Sequence, residues 1–182
     1  MSVNLLLTGP PGCGKTTAIR RTLALLPERQ IGGFYTEELR EAGQRVGFRI
    51  VGLGVGEGVL AHVASPSRVR VSRYGVNVDD LERIGVAALQ QALEAADLIV
   101  ADEIGRMEMC SPRFCEMVLR CLDAPVPVLG TLQARRTASA RRTASARRYP
   151  FLEALRARRD VELVLVRPET RDGLPEELAR RL

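Results

Sequence analysis

The stretch Gly9-Pro10-Pro11-Gly12-Cys13-Gly14-Lys15-Thr16 sets three glycines, a lysine and a hydroxyl at a spacing suited to phosphate chemistry. It matches the Walker A pattern G-x-x-x-x-G-K-[ST] in full. Glycines without a Cβ let successive backbone N–H groups turn inward around an anion. A helix starting near Lys15 would aim its N-terminal dipole at the same point. Lys15 offers a flexible point charge for β- and γ-phosphates, and the Thr16 hydroxyl is a ligand type for Mg²⁺. Lys15 is also the sole lysine among 27 basic residues. Everywhere else the chain uses arginine, whose planar fork does not substitute for a compact ammonium here.

A second constellation is Leu98-Ile99-Val100-Ala101-Asp102-Glu103. Apolar residues ending in an acid suit a Walker B strand, whose aspartate helps to hold Mg²⁺. Glu103 follows directly and could align an attacking water as general base. Adjacent strand residues point to opposite faces, so both acids serve one site only if the strand ends or bends there. The alternative for Glu103 is a solvated acid at a strand end. Arg106 is the arginine nearest these acids; it either neutralises charge on a transferring phosphoryl group or pairs with Glu108. Glu37 and Glu38 either line the site or are exposed strand residues. Phe34 or Tyr35 could stack on a base, with core packing as the competing role. His62, the only histidine, reads as a surface residue in a turn-rich stretch.

The elements around these residues follow from pattern. Residues 3–8 form a short apolar run that stops at a Gly-Pro turn, which predicts a buried strand. Lys15–Leu26 lacks Gly and Pro and ends at Pro27, which predicts a helix. Phe34–Leu39 and Val46–Leu53 flank a polar turn at Glu41–Gln44 and read as a hairpin. Gly52, Gly54, Gly56 and Gly58 read as a flexible turn. Asp79 and Asp80 open a helical stretch, with acids where the helix dipole favours them. Ser111 and Pro112 have the chemistry of a helix start. Further strands are expected at Val126–Thr131 and Val161–Val166, and further helices at Phe151–Arg158 and Pro175–Leu182. Strands alternating with helices predict an α/β fold, with a mainly parallel sheet covered on both faces.

Length and composition bound the rest. A chain of 182 residues with 46% apolar and 27% charged residues fits one ordinary globular domain, here 1–182. No apolar run approaches the ~18–20 residues of a membrane span, and the start MSVNLLLTG has no basic segment of a secretory signal. Cys13, Cys110, Cys115 and Cys121 form no Cys-x-x-Cys pair, which favours a reducing cytoplasm over a zinc ribbon. Residues 135–146 are two copies of RRTASA, and Arg147-Arg148 begin a third. This segment carries six of the arginines and no acid, so removing it takes the net charge from +5 to −1. Such a run could meet nucleic-acid phosphates, close on a nucleotide as a lid, or be a solvated low-complexity loop. It has no aromatic residue for base stacking.

GPPGCGKTT, GGFYTEELREAGQRVGF, LIVADEIGRMEMCSPRF, VLGTL and DVELVLVRPETRDGLPEEL occur in one order over nearly the whole chain. In that order they resemble the THEP-type nucleoside-triphosphatases, a family that includes the cancer-related nucleoside-triphosphatase. The resemblance implies a RecA-like P-loop fold with added antiparallel strands, and Mg²⁺-dependent hydrolysis of nucleoside triphosphates with loose base preference. It implies nucleotide contacts along Gly9, Pro10, Pro11, Gly12, Cys13, Gly14, Lys15, Thr16 and Thr17. A second set would be Leu98, Ile99, Val100, Ala101, Asp102, Glu103, Ile104 and Gly105. On this reading Thr16 and Asp102 hold Mg²⁺, Glu103 aligns water, and Lys15 and Arg106 stabilise the transition state. A P-loop kinase, or a nucleic-acid-associated ATPase using residues 134–148, stands as the alternative. Three departures from the family pattern are Arg106 where lysine is usual, Thr170 in place of an asparagine, and Gln133 with the repeat in place of a short, often His-containing connection. The sequence gives no oligomeric state.

Overall fold

The computed structural model describes residues 4–134 and 149–182. The RRTASA segment, with every expectation placed on it, lies outside the described residues. In chain order the strands are β1 (Asn4–Thr8), β2 (Ile31–Glu41), β3 (Gln44–Gly52), β4 (Gly56–His62), β5 (Arg70–Val71), β6 (Tyr74–Val76), β7 (Leu98–Ile104), β8 (Val128–Leu132) and β9 (Val161–Leu165). The helices are α1 (Lys15–Ala24), α2 (Val78–Asp80), α3 (Ala87–Ala95), α4 (Pro112–Asp123), α5 (Pro150–Ala157) and α6 (Leu174–Arg181). Leu81–Val86 links α2 to α3 as a π-helical turn.

The strands form one sheet in the order β5-β6-β4-β3-β2-β7-β8-β1-β9. From β2 to β9 the pairings are parallel; from β2 to β5 they are antiparallel. β2 belongs to both halves: Ile31–Tyr35 run parallel to β7, and Phe34–Glu41 run antiparallel to β3. The antiparallel extension is larger than the expected hairpin. The glycines from 52 to 58 belong to a second hairpin, β3–β4, turning at Leu53–Val55. In the parallel half, β8 separates the phosphate-loop strand β1 from the acid-bearing strand β7.

Alternation along β1 divides the core. Leu5 and Leu7 pack with Ala18 and Ile19 of α1 and Leu174 and Leu178 of α6 on one face. Leu6 points the other way, into a larger cluster with Phe34, Ile50 and Phe114 and the π turn, α3, α4 and α5. α4 starts as expected: the Ser111 hydroxyl accepts the Phe114 N–H at 3.0 Å, and Pro112 occupies the first turn. Among the described residues no helix is long and apolar enough to cross a membrane.

Candidate active site

β1 ends at Thr8, and the chain returns through Gly9–Gly14 to start α1 at Lys15. Gly12 and Gly14 sit at φ 75° and 103°, a region costly for side-chain residues, so this loop shape requires glycine at both. Lys15 Nζ donates to the carbonyls of Gly9 and Pro10, at 3.2 and 3.3 Å, across the mouth of the loop. The β9–α6 connection borders the loop: Val166 N–H donates to the Thr8 carbonyl at 2.8 Å. A Cβ on Gly14 would lie 3.8 Å from Arg171 Cδ. Thr170, where the family pattern has asparagine, turns its hydroxyl to the Arg167 carbonyl of the same connection, at 3.5 Å.

β7 carries the acids beyond where the sequence suggested it would end, since the strand runs through Asp102 and Glu103 to Ile104. The required bend is present as a bulge. Ala101 lies opposite Gly130 but Ile104 opposite Leu132, so β7 holds one residue more than β8 over this span. Both acids consequently feel Lys15, whose charge favours their ionised forms. Asp102 is 2% exposed, and its Oδ1 accepts the Thr131 hydroxyl of β8 at 2.7 Å. Its Oδ2 is buried with no hydrogen-bond partner. Burial pushes the Asp102 carboxyl up, while Thr131 and Thr16 pull it back. A buried carboxyl oxygen left open, on a carboxyl that also feels the Thr16 hydroxyl, is a hard oxygen donor of the kind a divalent cation takes. Among the described residues no group of three or more His, Cys, Asp or Glu could hold a metal alone. Burial also raises the Glu103 carboxyl, opposed by Lys15 and Arg106.

Arg106 does not pair with Glu108. Its backbone N–H and Nε both donate to Gln133 Oε1 at 3.2 Å, and its guanidinium lies over the Tyr149 ring at 5.9 Å from the centroid. Glu108 is instead buried, and its Oε2 accepts the Gly105 N–H at 3.0 Å. Glu37 joins α1 to the hairpin, taking Arg20 on one oxygen and Arg49 on the other, each at 2.5 Å. Those guanidinium groups, Arg49 foremost, hold Glu37 below the usual carboxylate range. Glu38 pairs with Arg40 and Arg45, away from the phosphate loop. Phe34 is fully buried against Phe114, so it is core and not a base platform; Tyr35 lies under Arg20 at 5.1 Å. His62, expected at the surface, is half-buried in β4, where its Nδ1 accepts the Ala64 N–H at 3.1 Å. Thr131 and Arg20 were not singled out from sequence, and Gln133 only as a departure from the family pattern, not as a partner of Arg106. Each is generic in type and far along the chain from its partner.

The model of the NTPase family matches residues 4–179. The chain belongs to the THEP1 nucleoside-triphosphatase family. Nucleoside-triphosphatase THEP1 of Thermofilum pendens is 43% identical over 182 residues, covering 98% of this chain and 94% of that protein. THEP1 of Thermotoga maritima is 40% identical over 176 residues, covering 97% and 93%. The crystal structure of THEP1 from Aquifex aeolicus superposes with a TM-score of 0.80 at 30% identity, covering 98% of this chain and 96% of that one. The solution structure of a human cancer-related nucleoside triphosphatase gives 0.77 at 31%, with the same coverage. This member of the family combines the P-loop fold with a Gln133–Arg106 contact at the edge of the acid cluster.

Proposed function

We propose that this THEP1-family chain is a Mg²⁺-dependent hydrolase of ATP, GTP, CTP, UTP and similar nucleoside triphosphates, releasing the diphosphate and phosphate. The observation that carries this reading is the meeting of Lys15, Asp102 and Glu103 at the bulged end of β7. The Gly9–Thr16 backbone holds the phosphates, and Lys15 exchanges its loop carbonyls for β- and γ-phosphate oxygens. Thr16 and Asp102 would hold Mg²⁺ there. Mg²⁺ bound there supplies charge neutralisation for the phosphates.

Glu103 receives a proton from water as the water oxygen bonds to the γ-phosphorus and the β–γ bridging bond breaks. Burial suits it to this role, since a raised carboxyl is a stronger base once ionised. Arg106 stands beside Glu103 and adds positive charge for the γ-phosphoryl oxygens. A water-aligning acid next to the metal ligand favours hydrolysis over transfer to an acceptor nucleoside. The unpaired cysteines suit a reducing cytoplasm.

Phosphate release from the four nucleotides, with Mg²⁺ and no acceptor, tests the reading. Turnover on all four is expected, and its disappearance on chelation. Glu103→Gln should keep nucleotide affinity and lower kcat by at least about 100-fold. Turnover in Glu103→Gln within about threefold of the parent would sink the base assignment. Release only when a nucleoside acceptor is added would mark a kinase instead.

A further inference from the structure

Glu108 is a buried carboxyl group that the mechanism above leaves without a part. It begins the 3₁₀ turn Glu108–Cys110, just after β7, and is 5% exposed. No described arginine or lysine pairs with it; its Oε2 accepts the Gly105 N–H at 3.0 Å, and its carboxyl also feels its own backbone N–H. A buried acid without a cation is costly in its ionised form. Burial, with Glu103 next in effect, accordingly pushes Glu108 up to about 8. At neutral pH it is mostly a neutral acid, able to accept from Gly105 and to donate an O–H elsewhere.

Gly105 indicates where that O–H can go. A Cβ placed there would meet Glu108 Oε2 at 3.0 Å, Glu103 Oε1 at 3.2 Å and Gln133 Oε1 at 3.6 Å. Three side-chain oxygens therefore converge on one face of this residue. The backbone φ at Gly105 is not in the left-handed region, so the need for glycine here is space.

We propose that Glu108 is a positioning residue for hydrolysis: packed with Glu103 against the bare face of Gly105, it fixes the direction in which the Glu103 carboxylate points. Gly105 supplies the room for the two carboxyl groups to meet, and its amide pins one of them. The inference rests on the reading of Glu103 as the water-aligning base.

Glu108→Gln, Glu108→Ala, Gly105→Ala and Glu103→Gln, each in the full chain, test it by kcat and KM for Mg·ATP, nucleotide Kd and melting temperature. Glutamine keeps the size and the neutral charge of the acid and an acceptor for the Gly105 N–H, so Glu108→Gln should stay within about threefold of the parent kcat. Glu108→Ala should lose at least about tenfold in kcat with KM and Kd changed by less than about threefold. Gly105→Ala should behave likewise and remain folded, because the groups that must yield are the ends of flexible carboxylate side chains.

Parent-like kcat in both alanine variants would overturn the proposal. A loss confined to KM and Kd would do the same, as would a Glu108→Gln defect equal to that of Glu108→Ala. If Glu108→Ala does not fold, Gly105→Ala and Glu108→Gln decide alone. Full turnover in Glu103→Gln would instead remove the reading beneath it, whereas an inactive Glu103→Gln beside parent-like alanine variants removes only this inference.

Discussion

Asp102 carries the tension at the residue scale. One oxygen accepts the Thr131 hydroxyl and the other is buried without a hydrogen-bond partner, so burial makes the ionised form of this carboxyl costly. Asp102→Asn relieves that cost and removes a metal ligand together. Its melting temperature without ligand should equal or exceed the parent's, while the rise produced by Mg·ADP should largely vanish; thermal scans with and without Mg·ADP read both. A parent-sized ligand shift would show that Asp102 does not hold the metal. Glu108 predicts a pH dependence. Its folded pKa, about 8, lies above the ordinary 4.5, so the folded state binds the extra proton. The stabilisation is complete below the unfolded pKa and is lost as pH rises through about 8. The parent should therefore melt progressively lower between pH 5 and 8 relative to Glu108→Gln, by an amount on the order of a few kcal/mol. Equal slopes in the two proteins would contradict a neutral Glu108. The phosphate loop and the Asp-Glu pair were legible in the sequence because their spacing lies within a few residues. Thr131, 29 positions from Asp102, gave no such signal, since only the strand order brings β8 beside β7.

At the scale of elements, the parallel half was readable and much of the antiparallel half was not. β1, β7, β8 and, broken only by Glu162, β9 are apolar runs bounded by turn residues; α4 carries the expected serine cap, and α4, α5 and α6 have proline in their first turn. β4 and β6 are glycine-bearing; their strand character comes from tertiary pairing, which local propensity does not report. The π turn at Leu81–Val86 was likewise invisible, because its i→i+5 hydrogen bonding leaves the helical composition unchanged. β2 joins the halves, and its hinge is Gly33. Gly33 has φ 109°, and a Cβ on it would fall 2.0 Å from the Val100 carbonyl oxygen of the neighbouring β7. Backbone cannot step aside cheaply there. Gly33→Ala should destabilise the chain by more than about 3 kcal/mol, read by urea unfolding. A smaller loss would mean that the β2–β7 pairing bends more easily than close packing allows.

At the scale of the whole molecule, charge separates from chemistry. The formal +5 depends on the six arginines of residues 135–148, without which the remainder carries −1. The residues flanking that segment are tied to the body: Gln133 receives Arg106 on its side chain and Arg156 on its carbonyl, and Tyr149 lies beneath Arg106. Arg106 thus touches both sides of the junction, which a short substitute could span. Replacing residues 135–148 by a Gly/Ser linker of about four to six residues should leave the melting temperature within a few degrees of the parent. Turnover without nucleic acid should stay within about threefold, because Lys15, Asp102 and Glu103 are untouched. Any binding to nucleic acid that the parent shows, measured against salt, should weaken in the linker variant and lose salt slope, since that slope counts the phosphates neutralised. A linker variant with parent affinity and slope would assign nucleic-acid contacts to the body. One that keeps its fold but loses turnover would instead make the arginine segment part of the hydrolytic site, and Arg106 the residue through which it acts.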